Sequence, residues 1–176
     1  MERPTAGPGT RIDDTALFFG AGHVEIGAHV RIDAYCVITA GPGIVRIGDH
    51  VHLGAATHVF GTAGVDVGAY GNVSSRVSIF STNDDYTEGH VGNPTTPEEV
   101  RGVTAAPVTI ERHAIVGCGS VILPGVRLGI GASVGALSLV KHDVPPFAVV
   151  AGTPARRIGD RDRARVEAFD RRLRDP

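Results

Sequence analysis

From Ile26 to Val140, a branched aliphatic residue followed by glycine or another small residue returns every six positions. One run starts at Ile26 (IGAHVR), Ile32 (IDAYCV) and Ile38. A second starts at Ile47 (IGDHVH), Leu53 (LGAATH) and Val59, and a third at Val67 (VGAYGN), Val73 (VSSRVS) and Ile79. The last begins at Ile110 (IERHAI) and continues through Val116, Ile122, Leu128, Val134 and Val140. A period of six fits neither a helix at 3.6 residues per turn nor the simple alternation of a strand. It fits a chain that turns a corner every six residues, with the first and fifth residues of each hexad pointing inward. Three such edges close a triangular coil, and stacked coils form a parallel β-helix. The fifth positions are small or β-branched throughout: Val30, Cys36, Val51, Thr57, Val77, Ala114, Ser120, Ala132 and Ser138. Coils stack at the strand spacing of ~4.8 Å, so five of them make a prism of roughly 24 Å. The 24 glycines and 11 prolines would suggest disorder in an aperiodic chain. Here the glycines recur beside aliphatics at fixed intervals, which points to a repeat. A thin triangular core also accounts for a sequence with 6 Phe, 3 Tyr and no Trp.

Taken in threes, the hexads define columns. The first edge holds residues 26, 47, 67, 110 and 128, the second 32, 53, 73, 116 and 134, and the third 38, 59, 79, 122 and 140. Extra residues follow positions 38, 59 and 79, so every insertion falls at the same corner. The largest is a polar loop over 81–107 that opens with SIFSTNDDYTEGH. Residues 1–25 are expected to form an N-terminal cap, a partial coil carrying Ile12 and Phe18. The β-helix is expected over 26–158. The charged tail over 159–176 reads as a short helix packing through Val166 and Phe169. The expected fold class is therefore all-β, a single domain.

A net charge of −2 supplies no general field for nucleic acid. No apolar run approaches the ~18 residues of a membrane span, and the opening MERPTAGPGTRIDD lacks a signal-peptide core. Neither nucleic acid nor membrane is expected as a partner, and the cytoplasm is the expected location. Two cysteines are too few for a disulfide framework: Cys36 occupies an inward slot, and Cys118 a turn.

The hexads, the loop, and the segment IERHAIVGCGSVILPGVRLGIGASVGALSLVKHDVPPFAVVAGTPARRI over 110–158 together resemble the hexapeptide-repeat acyltransferases, left-handed parallel β-helix trimers that use acetyl-CoA. The ending, a Lys-x-Asp-x-Pro-Pro turn followed by AGTPARRI, looks like that family's coenzyme A end. SIFSTNDDY with the later NPTTPEEV resembles the branch that acetylates sugars, especially amino sugars carried on nucleotides. The resemblance supplies the handedness, acetyl-CoA as acyl donor, a homotrimer with sites between subunits, and surface-polysaccharide synthesis as the setting.

On this resemblance the loop forms the acceptor pocket. Many sugar O-acetyltransferases of the family carry a histidine shortly after the third-edge strand, where this chain has Asn83, Asp84 and Asp85. A carboxylate with a pKa near ~4 is a weak base towards a hydroxyl but well suited to holding an amine, so N-acetylation is favoured over O-acetylation. The expected catalytic residues are Asp84 and His113, meeting across a subunit boundary, with Asn83, Asp85, Tyr86 and His90 as substrate contacts. His29, His50, His113 and Tyr70 share one outer column, and His52 and His58 point outward from neighbouring edges. The family's coenzyme contacts match the turns around Cys118, Ala136 and Leu137, through backbone N–H groups. Its phosphate contacts match Lys141, Arg156 and Arg157. Two other classes fit a hexad coil. A carbonic-anhydrase-type zinc enzyme would need converging histidines, for which His52 and His58 are spaced one residue too far apart, so no metal is expected. A non-catalytic β-helical scaffold would use the loop for docking.

Overall fold

The computed structural model describes residues 3–20 and 23–174. Met1, Glu2, Ala21, Gly22, Asp175 and Pro176, which fall inside the expected cap and tail, lie outside the described residues. The chain forms a left-handed parallel β-helix of three sheets. Each sheet corresponds to one predicted column. Ile26, Ile47, Val67, Ile110 and Leu128 pair in register on the first face. Ile32, Leu53, Val73, Val116 and Val134 pair on the second. Ile38, Val59, Ile79, Ile122 and Val140 pair on the third. The fifth-position residues are buried with them, from Val30 at 1 % to Ser138 at 2 % exposed. Removing an isoleucine or leucine side chain of this kind from water is worth roughly 1.5–3 kcal/mol, and the stack repeats that gain at every rung.

The N-terminal segment is a further coil. Ile12 pairs with Ile32 and Phe18 with Ile38, while Ala6 bridges to Ile26. With the bridge from Leu128 to Val144 at the other end, the first-edge column reads Ala6, Ile26, Ile47, Val67, Ile110, Leu128 and Val144. Phe18 is 3 % exposed, an aromatic ring accommodated in the end coil.

Each tight corner needs one residue in the left-handed region, and it is the fourth of the hexad. His29, Tyr35, His50, Ala56, Tyr70, Arg76, His113 and Leu137 all have φ between 55° and 61°. In later coils Gly119, Gly125 and Gly131 take the same role without a side-chain penalty. On the corner after the first edge these residues stack. His29–His50, His50–Tyr70 and Tyr70–His113 ring centroids lie 4.8, 4.8 and 5.1 Å apart, with near-parallel planes.

The stack ends when Ala148–Gly152 pairs antiparallel with Ala155–Asp160 on the second face. The chain then enters helix α1, Arg163–Arg174. Asp162 caps it, its carboxylate accepting from the Arg165 N–H at 3.0 Å. Of the two residues expected to pack this helix, Val166 is half-buried against the body. Phe169 is 48 % exposed, with Arg165 over its ring. The helix is instead held by polar contacts: Arg161 just before it donates to the His113 and Gly131 carbonyls, and Asp170 meets His113.

Candidate active site

The long insertion is a β-ribbon rather than a structureless loop. Thr82–Asp84 pairs antiparallel with Val103–Ala105, and a short 3₁₀ turn spans Glu98–Val100. Its tip is organised by one carboxylate. Asp85 Oδ1 accepts from the N–H groups of Thr87 and Glu88 at 2.8 and 2.9 Å, and Oδ2 accepts from the His90 N–H at 3.3 Å. Oδ2 also lies 2.9 Å from His90 Nδ1. These donors, the Thr87 N–H foremost, hold the Asp85 carboxyl far below the usual carboxylate range. Gly102 is required beside this knot, because a Cβ there would lie 2.6 Å from His90 Nδ1.

Asp84 has the opposite situation. It is half-buried, and among the described residues nothing hydrogen-bonds its carboxylate. It lines two cavities. One, of about 420 Å³, lies on the knot side with Asp85, Tyr86, Glu88 and His90. The other, a groove of about 640 Å³, runs between the ribbon and the outer side of the third face, past Phe60, Phe80, Tyr86, Pro94 and Val121. Asn83 lines both. The groove floor is apolar and flat, with the Phe60 and Phe80 rings stacked 4.9 Å apart at 8° and His58 edge-on to Phe60. An unpartnered carboxylate above such a floor suits a ligand with one cationic and one flat, uncharged part.

His113 is placed elsewhere. Its Nε2 lies 2.7 Å from Asp170 of α1, its ring stacks on Tyr70, and its side chain is 12 % exposed. With Arg112, Phe147, Arg163 and Val166 it lines a cavity of about 280 Å³ beneath the helix. One chain therefore does not bring His113 and Asp84 together. His52 lies on the second face between Asp33 and Asn72, at 2.8 and 2.9 Å, whereas His58 is on the third face. One chain does not converge these two histidines either. Asp85, Glu88 and His90 each offer a ligand atom within 4.8 Å of the others. Asp85 and His90, however, are already bound to each other and to the ribbon backbone.

The remaining candidates follow the corner between the second and third faces. Cys118 is half-buried there, with an Arg76 nitrogen 3.8 Å from its sulfur. Ala136 and Leu137 are exposed one coil further on. The Leu137 N–H donates to the Cys118 carbonyl at 2.9 Å, so this residue presents its side chain, 74 % exposed, and not a free amide. Lys141, Arg156 and Arg157 converge on a pocket of about 160 Å³ beyond the last hexads, between the stretch Val140–Pro145 and the terminal strand. Arg157 is paired with Asp160, and no acidic partner of Lys141 or Arg156 occurs among the described residues. Phe60 and Phe80 escaped the sequence reading, although the period does reveal them, since the two share one outward row.

No protein-family profile matches the chain. It is 40% identical over 163 residues to the dTDP-4-amino-4,6-dideoxy-D-glucose acyltransferase of Escherichia coli, covering 93% of this chain and 85% of that protein. It is 28% identical over 146 residues to the putative lipopolysaccharide biosynthesis O-acetyl transferase WbbJ of Escherichia coli strain K12, covering 82% and 71%. Among solved structures it resembles AntD, an N-acyltransferase from Bacillus cereus, here a single-residue variant in complex with dTDP-4-amino-4,6-dideoxyglucose and coenzyme A. The TM-score is 0.91 at 31% identity, covering 97% of this chain and 90% of that one.

Proposed function

The chain belongs to the hexapeptide-repeat acyltransferases, and from that premise we propose that it transfers an acetyl group from acetyl-CoA to the amine of a nucleotide-linked amino sugar. The first acceptor to test is dTDP-4-amino-4,6-dideoxyglucose, the sugar nucleotide bound by AntD and named for the E. coli relative. The observation that carries this reading is the half-buried, unpartnered carboxylate of Asp84 over the groove. The amine is taken up from water as the free base, which an amino sugar whose ammonium titrates near neutrality supplies there, and the Asp84 carboxylate accepts one of its N–H hydrogens and holds the lone pair in line. The amine lone pair attacks the thioester carbonyl, the new C–N bond forms, and the C–S bond breaks. The amine proton leaves with the coenzyme thiol.

The AntD series adds support, since it includes substitutions at a serine and at an aspartate ten residues further on. In this chain Ser74 and Asp84 have that spacing, as do Ser75 and Asp85. With the Asp85 carboxylate committed to its own ribbon, the first pair is the better match. Lys141 and Arg156 are the cations proposed for the coenzyme's phosphates. The active assembly is proposed to be a homotrimer, because the third face exposes Leu17 and Phe19 at 41 % and 46 %, a surface suited to burial against another copy. A role in surface-polysaccharide synthesis, in the cytoplasm where acetyl-CoA is made, completes the proposal. Coenzyme A thiol release, followed over a panel of amino-sugar nucleotides, their hydroxyl counterparts and free sugars, tests it. Release with amino acceptors alone is expected. Release with hydroxyl acceptors alone would replace it with O-acetylation, and no release with any acceptor would remove the enzyme assignment.

A further inference from the structure

The net charge of −2 conceals a separation of charge along the chain. Residues 155–174 hold eight arginines and four acids, so this stretch carries +4 and the rest of the chain −6. All four acids are engaged. Asp160 pairs with Arg157 at 2.6 Å and Glu167 with Arg163 at 2.7 Å. Asp162 accepts from the Arg165 N–H at the start of α1. Asp170 lies 2.7 Å from His113, 2.8 Å from Arg174 and 3.5 Å from Arg112. The arginines outnumber these partners. Arg161 is turned into the body by the His113 and Gly131 carbonyls, and Arg156 belongs to the pocket with Lys141. Arg165, Arg171 and Arg172 are exposed and have no acidic partner among the described residues.

Val166, Glu167 and Asp170 line the cavity beneath α1 and define its inner side. With 3.6 residues per turn, Arg165, Phe169, Arg172 and Leu173 fall together on a side that faces solvent. Phe169 and Leu173 are 48 % and 49 % exposed, and the Arg165 guanidinium sits over the Phe169 ring, 5.7 Å from its centroid. The helix thus shows solvent an apolar strip one turn long, framed by unpaired cations. Its place in the fold leaves that side open. The helix rests over His113, Ile130 and Phe147 on the corner after the first edge. That corner is opposite the third face, where Leu17 and Phe19 are proposed to meet another copy.

We propose that the exposed side of α1 binds an anionic lipid surface. Phe169 and Leu173 enter the interface, while Arg165, Arg171 and Arg172 meet the headgroup phosphates with their stems along the apolar boundary. Nucleic acid matches the cations alone. A lipid surface matches both parts of the pattern, since its negative charge lies directly over an apolar layer. The net charge and the lack of a membrane span do not bear on a helix that lies at the surface. The proposal goes beyond the reaction and does not depend on it.

The test is co-sedimentation of the full chain with phosphatidylcholine vesicles, with and without phosphatidylglycerol, alongside Tm and thiol release with a soluble acceptor. Binding to the phosphatidylglycerol vesicles is expected, about tenfold stronger than to phosphatidylcholine alone and weakened by salt at ~0.5 M. Phe169→Ser with Leu173→Ser, and separately Arg171→Gln with Arg172→Gln, are each expected to lower the partitioning about tenfold. Tm and thiol release stay near wild type in both pairs, because these side chains face solvent. No binding to either vesicle, or equal binding to both, would overturn the proposal. Vesicle binding that both pairs leave intact would also overturn it and put the lipid contact elsewhere. Tighter binding to a mixed-sequence RNA oligonucleotide than to the vesicles would make this side of α1 a nucleic-acid contact instead.

Discussion

The carboxylate of Asp85 accepts N–H groups from Thr87, Glu88 and His90, while that of Asp84, one residue earlier, has no partner among the described residues. The pair therefore separates into a residue that builds the ribbon and a residue that faces the groove. Asp84→Asn is expected to lower kcat/KM for the amino acceptor by ~10²-fold without moving Tm, the scale of one hydrogen bond to a charged group at roughly 1.5–3 kcal/mol. Asp85→Asn is expected to open the ribbon, read as faster limited proteolysis within residues 86–102 at neutral pH. The pH dependence follows from the direction of its shift. The folded Asp85 carboxyl titrates below its unfolded value near ~4. Its contribution is complete above ~4 and is lost as pH falls through the folded value. The wild-type ribbon should accordingly stay protease-resistant at pH 5 and loosen only in stronger acid. The sequence revealed that paired carboxylates open the loop. It did not show which one is free, because that depends on where the chain returns at Gly102.

At the scale of elements, the hexad period carried the fold. Every inward residue of the three columns, and the shared corner of all the insertions, could be read directly, because a coil's register leaves no freedom beyond where the corners fall. Two elements were not legible in that way. The ribbon pairing of Thr82–Asp84 with Val103–Ala105 joins segments with no periodic signal. Helix α1 docks through Val166, as its sequence offers, but also through Asp170 and the preceding Arg161, while Phe169 stays exposed. His113 is the post it docks on. His113→Gln is expected to lower Tm by several degrees through the lost contact to Asp170 while leaving kcat within about threefold. A fall of 10²–10⁴-fold in kcat would instead assign His113 the role of general base, supplied to a neighbouring subunit.

At the scale of the molecule, the core is one continuous stack in which each coil touches only its neighbours, so local damage spreads along the axis. Leu53→Ala, in mid-stack with its side chain fully buried, is expected to destabilise by about 2–5 kcal/mol in chemical denaturation. The proposed trimer is checked separately. Leu17→Glu with Phe19→Glu should shift the sedimentation mass from three subunits towards one and abolish thiol release. A wild-type monomer that remains active would remove the assembly from the proposal. Lys141, Arg156 and Arg157 were singled out from the family resemblance of the sequence ending, and the structure brings them to one pocket; their contact with the coenzyme's phosphates belongs to the proposal.

The antiparallel return of Ala155–Asp160 along Ala148–Gly152 has a consequence for the life of the protein outside its reaction. A parallel solenoid ends in a row of unsatisfied amides and carbonyls, an edge onto which a second molecule can add its own strands, and a third onto that. Here one six-residue strand, four of whose side chains are Arg156, Arg157, Ile158 and Asp160, lies across that edge on the second face. Deleting this strand is therefore expected to leave the end of the second face open to strands of a second molecule, read as a rise in light scattering on standing that the full chain does not show.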